Sequence, residues 1–440
     1  MTARGADRVG ERRLGRREPV AGGLGPSQGP RDHDTIVIGA GVGGAALTLA
    51  LARAGLRVLL VERRSGPGNI NRGDSLLPAV TRHLAEWGVL DRVRAAGAAP
   101  VAKMRVHHLT RGLLMEAPLG DPAGHPYLVL PHPEIERALT EEARATGRVE
   151  VRYRTRLTGL IEENGRVIGA EIAERDGGAI ARETARLVIG ADGSSSQLRV
   201  ALGIDLPLAP YPAGYFIIDF ERPRDWEEAM NLHLHRDGGV MVVPQRPGVV
   251  GVAALVHGPQ MDLFRAGALD DKVAAIRARC PSLASSAPVP RNAHLYALSR
   301  GHAAHYFARG AAMIGDAVHV TNPTAGQGMT MAIEDAAALT RHAAPAIAAG
   351  ADGGTMDAVL AAYERERRPI NESLLTWSHF MGRFFAMRGV VGTELRARVF
   401  AFGGNPVGQW IQRKVWGRVA TRPVAAASRP RPSFAMEPQL

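Results

Sequence analysis

Three short segments of this chain hold residues whose types and spacing could do chemistry. The first is Gly39-Ala40-Gly41-Val42-Gly43-Gly44, a Gly-x-Gly-x-x-Gly fingerprint. At a strand-to-helix junction the first glycine of such a loop permits the tight turn and the second lets a pyrophosphate approach the backbone. The third lets helix and strand pack closely, and the anion rests on the helix N-terminus. Eighteen residues beyond Gly44 stands Glu62, followed by Arg63, and an acid at that place can accept hydrogen bonds from an adenosine ribose. The pattern points to a dinucleotide, and by itself it does not separate FAD from NAD.

The second segment, Leu187-Val188-Ile189-Gly190-Ala191-Asp192-Gly193, ends an apolar run in Asp-Gly, with Ser194, Ser195, Ser196 and Arg199 behind it. The third, Ala312-Met313-Ile314-Gly315-Asp316-Ala317, ends another in Gly-Asp, and Pro323, Gly326, Gln327 and Gly328 follow. Each places a carboxylate at the carboxyl end of a buried strand, where open α/β sheets bind their ligands.

The elements that must position these groups can be read from periodicity. Thr35-Ile36-Val37-Ile38 reads as a buried strand, Val42 to Ala54 as a helix and Arg57 to Val61 as a second strand, which makes a βαβ unit. Pro133 to Ala145 reads as a helix. Glu150 to Tyr153 and Val167 to Ile172 read as strands around a turn at Asn164-Gly165, and Leu187 to Ile189 as another buried strand. From Asp205 to Arg300 the pattern becomes one of alternating strands, namely Tyr215 to Phe220, Asn231 to His235, Val240 to Val243 and Val249 to Val256, which predicts a separate antiparallel sheet. Ala311 to Ile314 returns to a buried strand, Gly328 to His342 is a helix, and the chain from Met356 is helical before a Pro- and Arg-rich end.

The predicted fold class is therefore α/β, a Rossmann-type dinucleotide domain with an inserted antiparallel-sheet domain and a helical C-terminal region. Residues 1–31 form a disordered tail; 32–97, 131–204 and 301–345 the discontinuous nucleotide-binding domain; 98–130 and 205–300 the substrate domain; and 346–440 the helical region.

Bulk properties exclude several classes. No apolar stretch approaches the length of a membrane span. A single cysteine, Cys280, excludes an internal disulfide and any Cys-based metal site and fits a reducing, cytoplasmic compartment. The formal net charge of +11 gathers largely at the two ends, from Arg4 to Arg17 and from Arg413 to Arg431, with no nucleic-acid-binding motif beside it. The paired arginines near the start lack the apolar stretch of an export signal.

In order and rough spacing the three segments resemble the class A flavoprotein monooxygenases, the family of para-hydroxybenzoate hydroxylase, from about Asp34 to Arg368. The resemblance implies FAD, with Gly39, Gly41, Gly43 and Gly44 on the pyrophosphate, Glu62 and Arg63 at the adenosine end, and Gly315 and Asp316 at the ribityl chain. Arg72 and His132 match positions facing the flavin, and Gly326, Gly328 and Thr330 the loop and helix start beside the ring. Asp192 and Gly193 match a segment tied to both FAD and NAD(P)H. The family commonly carries Asn at the place of Thr330 and often Arg or Gln at that of His132, and both replacements keep hydrogen-bonding capacity. The implied activity uses NAD(P)H and O2, through a C4a-hydroperoxyflavin, to hydroxylate a small aromatic molecule, phenolic or polycyclic and natural-product-like. No cationic clamp for a small carboxylate is evident, which favours the larger apolar substrates.

Other readings carry less. Gly73-Asp74-Ser75-Leu76 with Asp316-Ala317-Val318-His319 matches the motifs of GDSL esterases, which would use Ser75, His319 and Asp316. That nucleophile should follow the first strand, whereas here a complete fingerprint precedes it, and about 120 residues follow His319. A halogenase would need a lysine near the flavin and a Trp-x-Trp-x-Ile-Pro segment. Val240-Met241-Val242-Val243-Pro244 stands where prenyl reductases carry an aromatic-rich sequence, so a flavin-dependent reductase is the alternative of the same fold. For catalysis, His233 and His235 are candidate proton acceptors for a phenol, on the polar face of Asn231-Leu232-His233-Leu234-His235. Tyr211, Tyr215, Phe216 and Met241 are pocket candidates, each with core packing as the competing role.

Overall fold

A computed structural model of the chain describes residues 31–68, 74–121, 123–175, 177–224, 226, 228–405 and 408. The expected tail, Arg31 apart, and Arg72 lie outside the described residues.

The first sheet grows from the β-branched runs that the sequence marks as buried. His33–Ile38 lies parallel between Val58–Val61 and the end of Ile180–Gly190, and Ala311–Met313 adds parallel to the latter. Val149–Arg152 closes the other edge, parallel to Val58–Val61. One expectation is corrected here: the strand near Glu150 is not the hairpin partner of Val167–Ile172. Arg154 turns the chain at a φ of 56°, and the hairpin forms from Thr155–Glu163 and Arg166–Glu174, around Asn164 at 52° and Gly165 at 69°. Two successive positive φ values suit the twist of a two-residue hairpin loop.

Among the described residues the second sheet has eight strands, and it is assembled mainly from two inserted segments. Lys103–His108 and Gly112–Pro118 come from the first, and Ala209–Glu221, Ala229–Leu234, Val240–Arg246, Val249–His257 and Pro288–His302 from the second, with His319–Val320 at the far edge. Every pairing is antiparallel save where the segments meet, Ala229–Leu234 running parallel to Lys103–His108 with Met230 opposite Met104. A hairpin cannot make a parallel pair, whereas two segments that enter separately can. One face, with Phe216, Ile218, Phe220, Val240 and Val242, packs against helices Gln260–Ala266 and Leu269–Arg277. Those two helices lie inside the stretch read as strands. Cys280 is buried in the same cluster, and burial pushes its thiol up to about 11, so it stays an inert packing residue.

The helix Val42–Arg53 is almost wholly buried against Gln327–Ala348, and small residues allow the approach: a Cβ on Gly43 would stand 3.1 Å from that of Ala332. Gly353–Phe385, 33 residues long, runs back along Gln327–Ala348 and then over to the second sheet, where Phe385 joins Leu232, Leu255 and Leu298. Gly389–Gly404 follows beside it.

These helices are fastened to the first sheet through Asp335, whose carboxylate has no exposed surface. It accepts hydrogen bonds from His319 Nε2 at 2.6 Å, Arg367 Nε at 2.8 Å, Asn371 Nδ2 at 3.0 Å and the Gly315 amide at 3.1 Å. Burial alone would raise its pKa, but the His319 and Arg367 charges outweigh burial and hold the carboxyl well below the ordinary range. A carboxyl depressed in the fold stabilises it fully above the unfolded value and loses that contribution as pH falls below about 4. Asp335→Asn leaves the Arg367 guanidinium buried without its counter-charge, and urea unfolding at pH 7 should show a loss of about 3–5 kcal/mol. The difference between the two proteins should shrink as the pH is lowered below about 4.

Candidate functional site

The register of the first sheet brings the three segments together. Ile38 is paired with both Gly190 and Val61, and Gly190 with Met313, so the loops that follow all open at one edge. They line one end of a cavity of about 1890 Å³ whose other end lies beneath the second sheet. A single drug-sized ligand site is typically ~300–1,000 Å³, so the space admits a cofactor and a second molecule.

The glycines of the fingerprint divide the work. Gly39, at a φ of 104°, would put a Cβ 2.5 Å from the Ala191 carbonyl oxygen, and a Cβ on Gly44 would fall 1.9 Å from the Gly39 oxygen. These two are needed for packing. A Cβ on Gly41 would meet nothing nearer than Glu136 Oε1 at 4.0 Å, so its openness serves whatever approaches from the cavity.

Glu62 first secures the turn. Its carboxylate accepts from the Ala40 amide at 2.8 Å, the Arg64 amide at 2.8 Å and the Arg64 guanidinium at 3.1 Å. Burial opposes ionisation, but the Arg64 hydrogen bonds prevail and keep the carboxyl below its usual value. Arg64 bridges onward to Glu136 at 3.1 Å, and Arg63 is exposed at the rim. A ribose at this end would share Glu62 with Arg64.

Asp192 and Gly193 line the cavity, Gly193 at a φ of 83°. Burial pushes the Asp192 carboxyl up against the hydrogen bonds it receives from Ser196 and the Gln197 amide, the latter at 2.7 Å. Behind it the Arg199 guanidinium donates to Ser194 O at 2.8 Å and Ala317 O at 2.9 Å, tying the Asp-Gly loop to the Gly-Asp loop. Gly315, at a φ of 61°, and Asp316 line the cavity. Asn322 then caps the Thr324 amide at 3.0 Å, and Gly326, at a φ of 65°, turns the chain into Gln327–Ala348. Gln327, Gly328 and Thr330 thus line the cavity at a positive helix end, and the Thr330 hydroxyl is buried without a hydrogen-bond partner among the described residues.

The end beneath the second sheet is apolar. Met104, Met230 and Met241 line it from the sheet, Phe385 and Phe400 from the last two helices, and no arginine or lysine of the second sheet joins them among the described residues. Tyr215 spans the two ends, its hydroxyl 2.9 Å from Thr324 Oγ1; burial pushes it up to about 12, so it is a neutral hydrogen-bonding group.

Several expectations are corrected. His233 and His235 do not line the cavity. The pairing of His233 with Val240 and Asn231 with Val242 turns that stripe to the opposite face of the sheet. There His233 stacks on His107 with ring centroids 4.8 Å apart, and burial, aided by His107, lowers it to about 4. His235 lies past the strand end and accepts from the Asp237 amide at 3.1 Å. The leucine face is continuous with the cavity wall through Met230. Of the pocket candidates, Tyr215 and Met241 line the cavity, whereas Phe216 packs on Phe264 behind the sheet and Tyr211 is paired with His379 Nδ1 at 2.8 Å. The esterase triad is not assembled, since His319 is buried and held by Asp335.

Sequence reasoning missed Asp335, which no motif marks, and the group formed by Asp74, His132 and Gln245 at the cavity wall. Asp74 had been visible only as part of an accidental esterase motif. His132 was singled out, and it does line the cavity.

The profile of a family described as an FAD binding domain matches residues 32–378. Similar proteins include rifampicin monooxygenase of Streptomyces venezuelae, 28% identical over 78% of this chain and 69% of that protein. A second is 6-methylpretetramide 4-monooxygenase of Streptomyces rimosus, 28% identical over 83% of this chain and 87% of its own. Among solved structures, PqsL of Pseudomonas aeruginosa matches with a TM-score of 0.69 at 25% identity, over 80% of this chain and 96% of that one.

The placement of His233 has a consequence in solution. A histidine lowered to about 4 in the fold and near 6.5 when unfolded keeps its full contribution above pH 6.5 and loses it as pH falls toward 4. Urea unfolding between pH 4.5 and 7 should show that slope, and His233→Gln should flatten it by the equivalent of about one proton.

Proposed function

The chain belongs to the FAD-binding-domain family of class A FAD-dependent aromatic monooxygenases, and from that premise we propose that it draws electrons from NADH or NADPH, uses O2, and hydroxylates a large, mostly apolar phenolic or polycyclic substrate. The observation that carries this reading is continuity: the fingerprint, the start of Gln327–Ala348 and the inner face of the second sheet line one cavity.

The residues fit the cofactor. The open side of Gly41 admits a pyrophosphate beside the start of Val42–Arg53, with Gly39, Gly43 and Gly44 holding the loop in place. Glu62 and Arg63 would attend the adenosine end, Gly315 and Asp316 the ribityl chain, and Gly326, Gly328 and Thr330 the ring, with Asp192 and Gly193 on the adjoining wall; all of them line the cavity. FAD, when bound, supplies hydride acceptance and oxygen activation. The chain's own task is to orient and to exclude water. The amides at the start of Gln327–Ala348 would hold the negative end of the ring, and the methionines and phenylalanines beneath the sheet would keep the chamber dry. Methionine side chains adapt to irregular shapes, which suits a bulky ring system.

We assign 32–97, 131–204 and 301–345 to the FAD-binding part, 98–130 and 205–300 to the substrate part, and 346–440 to the C-terminal helical region, whose described residues include Phe385 and Phe400 of the chamber wall. No helix among the described residues is long and apolar enough to cross a membrane, and a cytoplasmic site of action accords with the lone buried Cys280.

Gly41→Ala separates ligand approach from packing. The apoprotein should melt as the wild type does, because the added Cβ meets open space, while FAD affinity should fall by about tenfold or more, ~1.4 kcal/mol. Gly44→Ala should compromise the fold as well. Equal FAD affinity in Gly41→Ala, measured by flavin fluorescence titration, would place the pyrophosphate elsewhere. With an accepted aromatic substrate, NAD(P)H consumption should require oxygen, and one atom of labelled O2 should appear in the product. A label derived from water, or turnover undiminished without oxygen, would end this reading, and the latter would favour a flavin-dependent reductase or dehydrogenase of the same fold.

A further inference from the structure

A buried polar group of three residues, Asp74, His132 and Gln245, stands at the chamber wall. Asp74 precedes the short strand Ser75–Leu76, His132 opens the helix His132–Ala145, and Gln245 stands on Val240–Arg246 of the second sheet. Asp74 is buried. One of its oxygens accepts from the His132 amide at 3.1 Å and lies 3.2 Å from His132 Nδ1, and the other accepts from Gln245 Nε2. An ionised carboxylate can only accept, so it selects the imidazole tautomer with the proton on Nδ1. Nε2 is then an acceptor, no protein group among the described residues hydrogen-bonds to it, and the ring lines the chamber.

The geometry points to a proton-accepting dyad, in which His132, oriented by Asp74, takes the hydroxyl proton of a phenolic substrate bound beneath the second sheet. This rests on the monooxygenase reading of the same chamber. A phenolate is the more electron-rich partner for an electrophilic oxygen, but an unaided phenolate is costly in an apolar cavity. Transfer to His132 breaks the substrate O–H bond and forms Nε2–H, the electron pair remaining on the phenolate oxygen. Asp74 offsets the imidazolium charge. NAD(P)H and a solvent proton supply two electrons and two hydrogens, so that one atom of O2 joins the ring as a hydroxyl carrying one of these hydrogens, and the second leaves as water with the other and with the proton displaced from the ring. The imidazolium then returns its proton to the phenolate oxygen, so the dyad ends as it began.

The surrounding charges leave Asp74 in control. On the same helix Glu136 is engaged by Arg64 at 3.1 Å and the Gly68 amide at 2.8 Å, and Glu134 pairs with Arg137 at the surface. Gln245, from the sheet, is neutral. Tyr127, hydrogen-bonded to Ser75, is pushed up to about 12 by burial and carries no charge. His132 is thus a catalytic residue, while Asp74 and Gln245 are positioning residues.

The test uses the flavin-loaded protein and 4-nitrophenol, whose phenolate is coloured, at a pH where the free phenol is mostly protonated. Wild type should bind it with the phenolate band. His132→Gln, which keeps a hydrogen-bonding side chain that does not titrate, should retain flavin and bind the probe protonated, and Asp74→Asn should give a weaker phenolate band. With an accepted phenolic substrate, kcat of His132→Gln should fall by about 10²-fold, and its pH profile should lack a limb that the wild-type profile carries. A bound probe that stays protonated in wild type, or a phenolate band undiminished in His132→Gln, overturns the dyad. Loss of flavin from His132→Gln also overturns it, by showing that His132 only holds the cofactor. A wild type that binds no FAD would sink the monooxygenase reading itself, a distinct result.

Discussion

A carboxylate without exposed surface, that of Asp335, joins the parts of this molecule that must not move relative to one another. It grips the backbone of Gly315 in the Gly-Asp loop, the ring of His319 at the edge of the second sheet, and Arg367 and Asn371 on the long helix Gly353–Phe385. One buried charge therefore fixes the cofactor loop, the substrate sheet and the helix that floors the chamber. Burying it is expensive unless every lone pair is used, and here four donors surround it. The same neighbourhood is reinforced by Tyr306, whose hydroxyl meets His302 Nε2 at 2.7 Å and Asn371 Nδ2 at 3.2 Å, and by Tyr363, which donates to Met313 O at 3.0 Å. A chemistry that requires a cofactor and a substrate to meet within a narrow distance needs such a joint, because each is held by a different sheet.

The two ends of the cavity differ in how they recognise. Around the fingerprint and at Gln327 and Gly328 the available donors are backbone amides, held by glycines whose conformations or close approaches admit no side chain. Beneath the second sheet the wall is made by side chains, chiefly methionine and aromatic. Backbone donors suit a fixed polyanionic cofactor, whose shape does not change. Adaptable thioethers suit a guest defined by bulk and apolarity rather than by charge.

The first sheet was legible in the sequence because its strands are continuous apolar runs and its loops carry glycines with a stated mechanical purpose. The convergence of Glu62, Asp192 and Gly315 followed from their places after buried strands. The second sheet was legible as strands, but the face carrying the candidate histidines is not the one that meets the cavity. In Asn231-Leu232-His233-Leu234-His235 alternation marks two faces without saying which one meets the cavity, and here Met230 and the leucines point inward while His233 is buried on the other side against His107. Polar residues are expected to face water or a site, yet both faces of this sheet are covered, one by helices and one by the chamber. The helices Gln260–Ala266 and Leu269–Arg277 were masked by the strands on either side of them. Asp335 left no trace in one dimension, since its four partners lie 16 to 36 residues away.

Asp74 and His132 illustrate a more general limit and how structure resolves it. Each falls in a segment that invited a different explanation, Asp74 in an esterase-like tetrapeptide and His132 in a position matched to the flavin. Neither segment shows the other, because 58 residues separate them. Only the fold places the carboxylate behind the imidazole, and only the second sheet, through Gln245, fixes the carboxylate from the far side. A histidine at the mouth of a cavity could be a simple hydrogen-bonding anchor. A histidine whose Nδ1 faces a buried carboxylate, itself held by two further donors, has a defined tautomer and one free acceptor. That arrangement constrains the proton as well as the ring, and it does so at the junction between the cofactor end and the substrate end, where a proton would have to be taken up.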